Sequence, residues 1–143
     1  MKKLITITLM LVAILLTGCE KNRLVCTYSE SNIENIGSKT KYTFEFNEEK
    51  IKQATMTTEV TLSGSYNEES FISTYKEMAA AAAEEYNLTT GVSASVSSKS
   101  NIVTLKVEMN VASMSEGNLE TYGLNLSKQD LEATLEENGY TCE

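Results

Sequence analysis

Val103, Leu105, Val107, Met109 and Val111 alternate with polar residues as far as Ala112, a period of two that fits an extended strand with one buried face. The same period recurs at Leu24, Cys26 and Tyr28, and again at Tyr42, Phe44 and Phe46. Over 51–63, Ala54, Met56, Val60 and Leu62 lie on one side and Gln53, Thr55, Thr57, Glu59 and Thr61 on the other. Val92, Ala94 and Val96 alternate with serines. Segments of this kind must share a sheet with one covered face. The short turn Asn47-Glu48-Glu49 predicts a hairpin between the second and third, and Ser97 to Asn101 a hairpin between the last two. Ser29 to Ser38, rich in Ser, Asn and Gly, reads as a loop.

Two stretches change to a helical period and supply the cover. The first runs from about Glu68 to Tyr86, with Asn67 as N-cap, Glu68 and Glu69 in the first turn, and Tyr66 and Phe71 as a hydrophobic staple. Phe71, Tyr75, Met78, Ala79, Ala82 and Tyr86 form its apolar stripe, and the short side chains of Ala79 to Ala83 let it approach the strands closely. Ser113 to Asn125, broken by Gly117 and Gly123, reads as irregular. The second helix starts at Ser127, where Ser127 and Asp130 have N-cap and N3 spacing and Leu126 and Leu131 repeat the staple. Leu131 and Leu135 form its inner face, Asn138-Gly139 ends it, and Tyr140 to Cys142 is a short extended end. The expected fold is α+β: an antiparallel sheet of about five strands, in the order β-β-β-α-β-β-α with a β stub, and two helices packed on one face. Residues 23–143 make one domain.

The N-terminus has a different logic. Lys2 and Lys3 precede an uncharged apolar run from Leu4 to Leu16, short for a membrane span and suited to a signal peptide over 1–18. Leu16-Thr17-Gly18-Cys19 resembles the bacterial lipobox, which implies cleavage between Gly18 and Cys19 and lipid, such as palmitate, on Cys19. Residues 19–22 then form a short tether, and the expected location is the extracytoplasmic face of the cell membrane, held by acyl chains. Cleavage removes Lys2 and Lys3, leaving ten basic against twenty acidic residues, a formal charge of −10. That charge disfavours nucleic acid.

Cys26 and Cys142 remain as an even pair in an exported chain. A structural disulfide stands first. Two inert thiols are the alternative, and a redox pair is the weakest reading because no Cys-x-x-Cys spacing is present.

The chain has no His, and Asp130 is its single Asp. Nucleophile–imidazole pairs and His-ligated metals are therefore excluded. Glutamates occur as neighbours at 48–49, 68–69, 84–85 and 136–137, and residues adjacent on a helix point about 100° apart, so these read as solvated faces. Glu45, Glu59 and Glu108 fall on the polar side of their strands; Lys50, Lys52 and Lys106 read as surface residues. The seven glycines are scattered and form no phosphate loop. No catalytic residue, metal ligand or cofactor is assigned. Met56, Met78, Met109 and Met114 are candidates for an adaptable apolar pocket, with simple core packing as the alternative.

Glu85-Tyr86 before Thr90-Gly91-Val92, the Val103 to Val111 strand, and Leu131 to Leu135 running into Gly139-Tyr140 resemble the YehR-like bacterial lipoproteins over about 38–140. The resemblance implies a small exported domain of undefined activity and brings no catalytic residues. The expected function is a membrane-anchored, non-catalytic domain that binds an envelope protein or a small ligand. The alternatives are an accessory lipoprotein acting on a membrane complex through Thr55, Thr57 and Thr61, and, remotely, a carboxylate-dependent glycan-processing enzyme.

Overall fold

The computed structural model describes residues 22–143; the expected signal segment, Gly18 and Cys19 lie outside the described residues. The sheet strands are β1 (Arg23–Ile33), β2 (Ile36–Asn47), β3 (Lys50–Leu62), β4 (Val92–Lys99), β5 (Ile102–Asn110) and β6 (Thr141–Cys142). The helices are α1 (Glu69–Asn87), α2 (Glu116–Thr121) and α3 (Lys128–Glu137). The strands form one antiparallel sheet in the order β4-β5-β3-β2-β1-β6, so the fold class is the expected α+β.

Register explains why one face is apolar. Leu24, Phe44, Ala54, Met109 and Val92 are successive cross-strand partners, as are Cys26, Tyr42, Met56, Val107 and Ala94. Pairing in register puts every member of such a row on the same side. Most of these residues are buried, and both α1 and α3 pack on that side. The opposite side carries rows such as Thr43, Thr55, Glu108 and Ser93, or Lys41, Thr57, Lys106 and Ser95. No described element covers it.

Three local expectations need correction. Ser29 to Ser38 is not a loop: β1 runs on to Ile33 and β2 begins at Ile36, with the reversal confined to Glu34-Asn35. Polar composition misleads there because Ser29↔Lys39 and Glu30↔Ser38 complete a ladder whose side chains need no burial. Asn35 takes φ 68, a conformation that Asn tolerates better than most residues. Second, Ser113 to Asn125 is partly helical. β5 stops at Asn110, Val111–Ser113 makes a 3-10 turn, and α2 follows with the Ser115 hydroxyl accepting from Asn118 N at 3.3 Å. At six residues, α2 is too short for a readable apolar stripe. Third, the N-cap of α1 is Glu68, which makes no side-chain capping bond, rather than Asn67.

α1 packs mainly through small residues. Ala83 is its buried residue, while Met78 is 62% exposed and Phe71 39%. Tyr66 and Phe71 nevertheless meet edge-on with centroids 5.1 Å apart, the expected contact, although with Glu68 as N-cap they no longer hold the N′ and N4 positions of a staple. Asn87, the last residue of α1, also blunts the β4 edge. Its Nδ2 donates to Ala94 O at 3.1 Å and its Oδ1 accepts from Ala94 N at 2.7 Å, as a neighbouring strand would.

α3 is specified locally. Asp130 N donates to Ser127 Oγ, Tyr140 N to Leu135 O, and Gly139 N to Glu136 O, with Gly139 at φ 87: an N-cap and a Schellman ending. Lys128 Nζ donates to Arg23 O at 3.1 Å and lies over the Phe46 ring, which fixes the helix start above β1 and β2.

Candidate functional site

Ala54 is the small member of its row, with Phe44 on one side and Met109 on the other. A small residue between large neighbours leaves space above the sheet. α1 and α3 stand on either side of that space, enclosing a cavity of about 180 Å³. Ala54, Met56 and Met109 form its floor and Tyr42 and Phe44 one wall. Tyr86 comes from α1, Leu131, Thr134 and Leu135 come from α3, and Tyr122, Gly123, Leu124 and Leu126 close the end. The lining has no charged side chain.

Phenols gather at this cavity. Tyr28 and Tyr140 rings lie 5.4 Å apart, Tyr140 and Tyr42 5.6 Å, and Tyr86 and Tyr122 6.5 Å; Tyr42 also stacks on Phe44 at 5.7 Å. Burial pushes the Tyr42 hydroxyl up to about 12, helped by the neighbouring Tyr140 and Tyr86 phenols. Burial also raises Tyr86, with Tyr122 and Glu85 adding to the effect, and it raises Tyr140, with Tyr28 adding. Among the described residues, no protein group hydrogen-bonds the Tyr42, Tyr86 or Tyr122 hydroxyl, and none of these oxygens is sealed from the surface.

These shifts fix the sign of an alkaline effect. A phenol whose folded pKa exceeds its unfolded value holds its proton longer in the native state, so stability is full below the ordinary value of 10 and falls as pH rises toward 12. Denaturant midpoints are expected to drop as pH rises from 10 to 12. A Tyr42→Phe variant should show a shallower drop in the same titration.

The other residues singled out in the sequence are scattered. Of the four methionines, Met56 and Met109 line the cavity, Met114 is buried beside Gly91, and Met78 lies at a separate groove with Tyr75 and Ala79. Glu45, Glu59 and Glu108 lie on the uncovered side in three different rows, opposite Gln53, Thr104 and Thr55. Glu108 Oε1 pairs with Lys106 Nζ at 3.0 Å, both side chains nearly half exposed. The sheet therefore does not bring these carboxylates together on one reacting group. Thr55, Thr57 and Thr61 share that side. Among the described residues, no three Cys, Asp or Glu side chains gather as a metal site.

Cys26 and Cys142 are joined by a disulfide, S–S 2.02 Å, on the partner row to Tyr42. It places Tyr140 against Tyr42 and Tyr28 at the cavity's edge. The tyrosine cluster itself escapes sequence reasoning, because Tyr28, Tyr42, Tyr86, Tyr122 and Tyr140 come from five separate segments. The one local signal is that each of Tyr28, Tyr42 and Tyr86 falls in the apolar phase of its element.

No protein-family model matches the chain, and no curated protein is similar to it in sequence. Two solved structures share the fold. The NMR structure of a protein from Streptococcus pneumoniae TIGR4 superposes with a TM-score of 0.50 and 11% identity, covering 85% of each chain. The NMR structure of the Escherichia coli YehR protein superposes with a TM-score of 0.51 and 13% identity, covering 82% of this chain and 88% of that one. The architecture is thus YehR-like.

Proposed function

We propose that this chain is a bacterial lipoprotein of the YehR-like kind, held on the extracytoplasmic face of the membrane through Cys19, whose domain binds a small ligand without transforming it. The anchoring part rests on the run from Leu4 to Leu16 and on Leu16-Thr17-Gly18-Cys19. Cys19→Ala is expected to move the protein from the membrane fraction to the soluble fraction. Retention on membranes would count against the anchor.

The cavity between α1 and α3 carries the binding part. An apolar enclosure of about 180 Å³ edged by phenol hydroxyls with no hydrogen-bond partner among the described residues has the composition of a ligand site: an apolar body fits inside, and a few polar groups orient it. Engineered apolar cavities of about 150 Å³ hold one benzene, so the ligand, or the part of it that enters, is about one ring in size. The lining offers no carboxylate, amine or thiol for general acid, base or nucleophilic work, which favours binding over turnover.

Thr134 tests this directly. It lines the cavity yet is exposed on α3, so Thr134→Trp puts bulk across the opening at little cost to the core. Binding of a single-ring probe, followed by NMR shifts at the Met56 and Met109 methyls, should weaken at least about tenfold while the unfolding free energy stays within about 0.5 kcal/mol of wild type. Unchanged probe binding would remove the cavity from consideration.

The uncovered sheet side favours a second reading, in which Thr55, Thr57 and Thr61 meet a protein of a membrane complex. Thr134→Trp leaves that side intact, so an envelope phenotype that survives the substitution points to the sheet rather than to the cavity.

A further inference from the structure

We infer that the ligand taken by this cavity is a small organic cation, an alkyl- or arylalkylammonium whose apolar part fills the space while its charged nitrogen sits among the tyrosine rings. The inference rests on the ligand-binding reading above and narrows it to one chemical class.

Three observations converge. First, three rings line the cavity. Tyr42 belongs to the sheet and Tyr86 to α1, while Tyr122 follows α2, and the Tyr86 and Tyr122 rings lie 6.5 Å apart, so an occupant meets more than one ring. Ring faces carry negative quadrupole potential and attract a cation, most strongly where water is excluded. Second, the electrostatics oppose an anion. The lining contains no Lys or Arg, and Glu85 lies close enough to Tyr86 to raise its hydroxyl. Low polarity penalises a bound ion of either sign, but only a cation is repaid by the ring faces. Third, phenol oxygens accept hydrogen bonds, and no described protein group bonds those of Tyr42, Tyr86 and Tyr122, so they are available to an N–H of the ligand. A protonated amine meets both conditions, because its charge faces the rings and its carbon body covers Ala54, Met56 and Met109.

The test uses three probes of nearly equal size: benzylamine, protonated at pH 7, benzyl alcohol and benzoate. Titrations are followed at the Met56 and Met109 methyls of the mature domain. Benzylammonium is expected to bind about tenfold tighter than the alcohol, the scale of one desolvated cation–ring contact, with benzoate the weakest. Tyr86→Leu, which removes a ring, should bring amine and alcohol to parity, whereas Tyr86→Phe, which keeps the ring, should retain most of the preference. Alcohol binding as tight as amine, or benzoate tighter than either, overturns the cation assignment and leaves the cavity reading standing. If no probe shifts either methyl at millimolar concentration, both fall together. The wild-type comparison decides the matter even if the Leu variant folds poorly.

Discussion

Cys142→Ala is expected to lower the unfolding free energy by roughly 3–5 kcal/mol, the range for a bond that closes a loop of about a hundred residues. Here the bonded cysteines are 116 residues apart. The alanine replaces a side chain that is only partly buried, unlike Cys26, which is fully buried, so the loss comes mainly from freeing the unfolded chain. Little else holds the C-terminus down. β6 is two residues long, paired at Cys26↔Cys142 and Thr27↔Thr141, with Val25 and Glu143 exchanging backbone bonds beyond it. A two-residue strand without its covalent tie is marginal. Urea titrations of wild type with and without reductant, beside the variant, measure the effect, and coincident midpoints would refute it. The consequence reaches the cavity, since Tyr140 stands two residues from Cys142 and against Tyr42. Reduction should therefore also weaken probe binding and flatten the alkaline drop attributed to the buried phenols.

What could be read from the sequence was what is encoded locally. The Tyr42-Phe44-Phe46 face, the β5 alternation and the Ser127/Asp130 and Gly139 signals of α3 each depend on residues within a turn or two of one another, and they appear where the pattern puts them, except that β5 stops at Asn110, short of Val111 and Ala112. The hairpin joining β1 and β2 did not announce itself, because it lies toward the sheet edge and polar residues such as Ser29, Ser38 and Thr40 pair through backbone rather than burial. The cavity was hidden for a different reason. It arises from Ala54 sitting between Phe44 and Met109 in the sheet, and from α1 and α3 standing apart above it. Neither relation exists within any window of the chain. Met56 and Met109 were candidates for a pocket lining, but nothing in the sequence distinguished them from Met78, which is 62% exposed. Likewise, Glu45, Glu59 and Glu108 are separable only once register assigns them to different rows.

Gly91→Ala is the second substitution expected to be severe, at about 2–4 kcal/mol, and its cost divides into two parts of different origin. Gly91 has φ +86, where a Cβ costs roughly 1–2 kcal/mol by its own backbone clash. The added carbon would also lie 2.7 Å from Met114 Cγ, 3.0 Å from Asn110 O and 3.1 Å from Ser113 C. A methionine side chain can swing aside. The backbone contacts cannot, because Asn110 N donates to Gly91 O at 2.8 Å and so joins the two segments. Gly117, in α2, is the matched control: a Cβ there meets nothing within 4 Å, so Gly117→Ala should be neutral or stabilising by up to about 1 kcal/mol. In a Met114→Ala background the Gly91→Ala cost should fall, but to no less than about half, since both the φ strain and the Asn110 contact persist. Full rescue would mean that Met114 alone makes the position need glycine. No rescue would mean that the backbone alone does. Partial rescue is the expected result: it makes Gly91 the point where the end of β5, the 3-10 turn after it and the start of β4 are held together beside Met109, whose partner in the sheet is Val92.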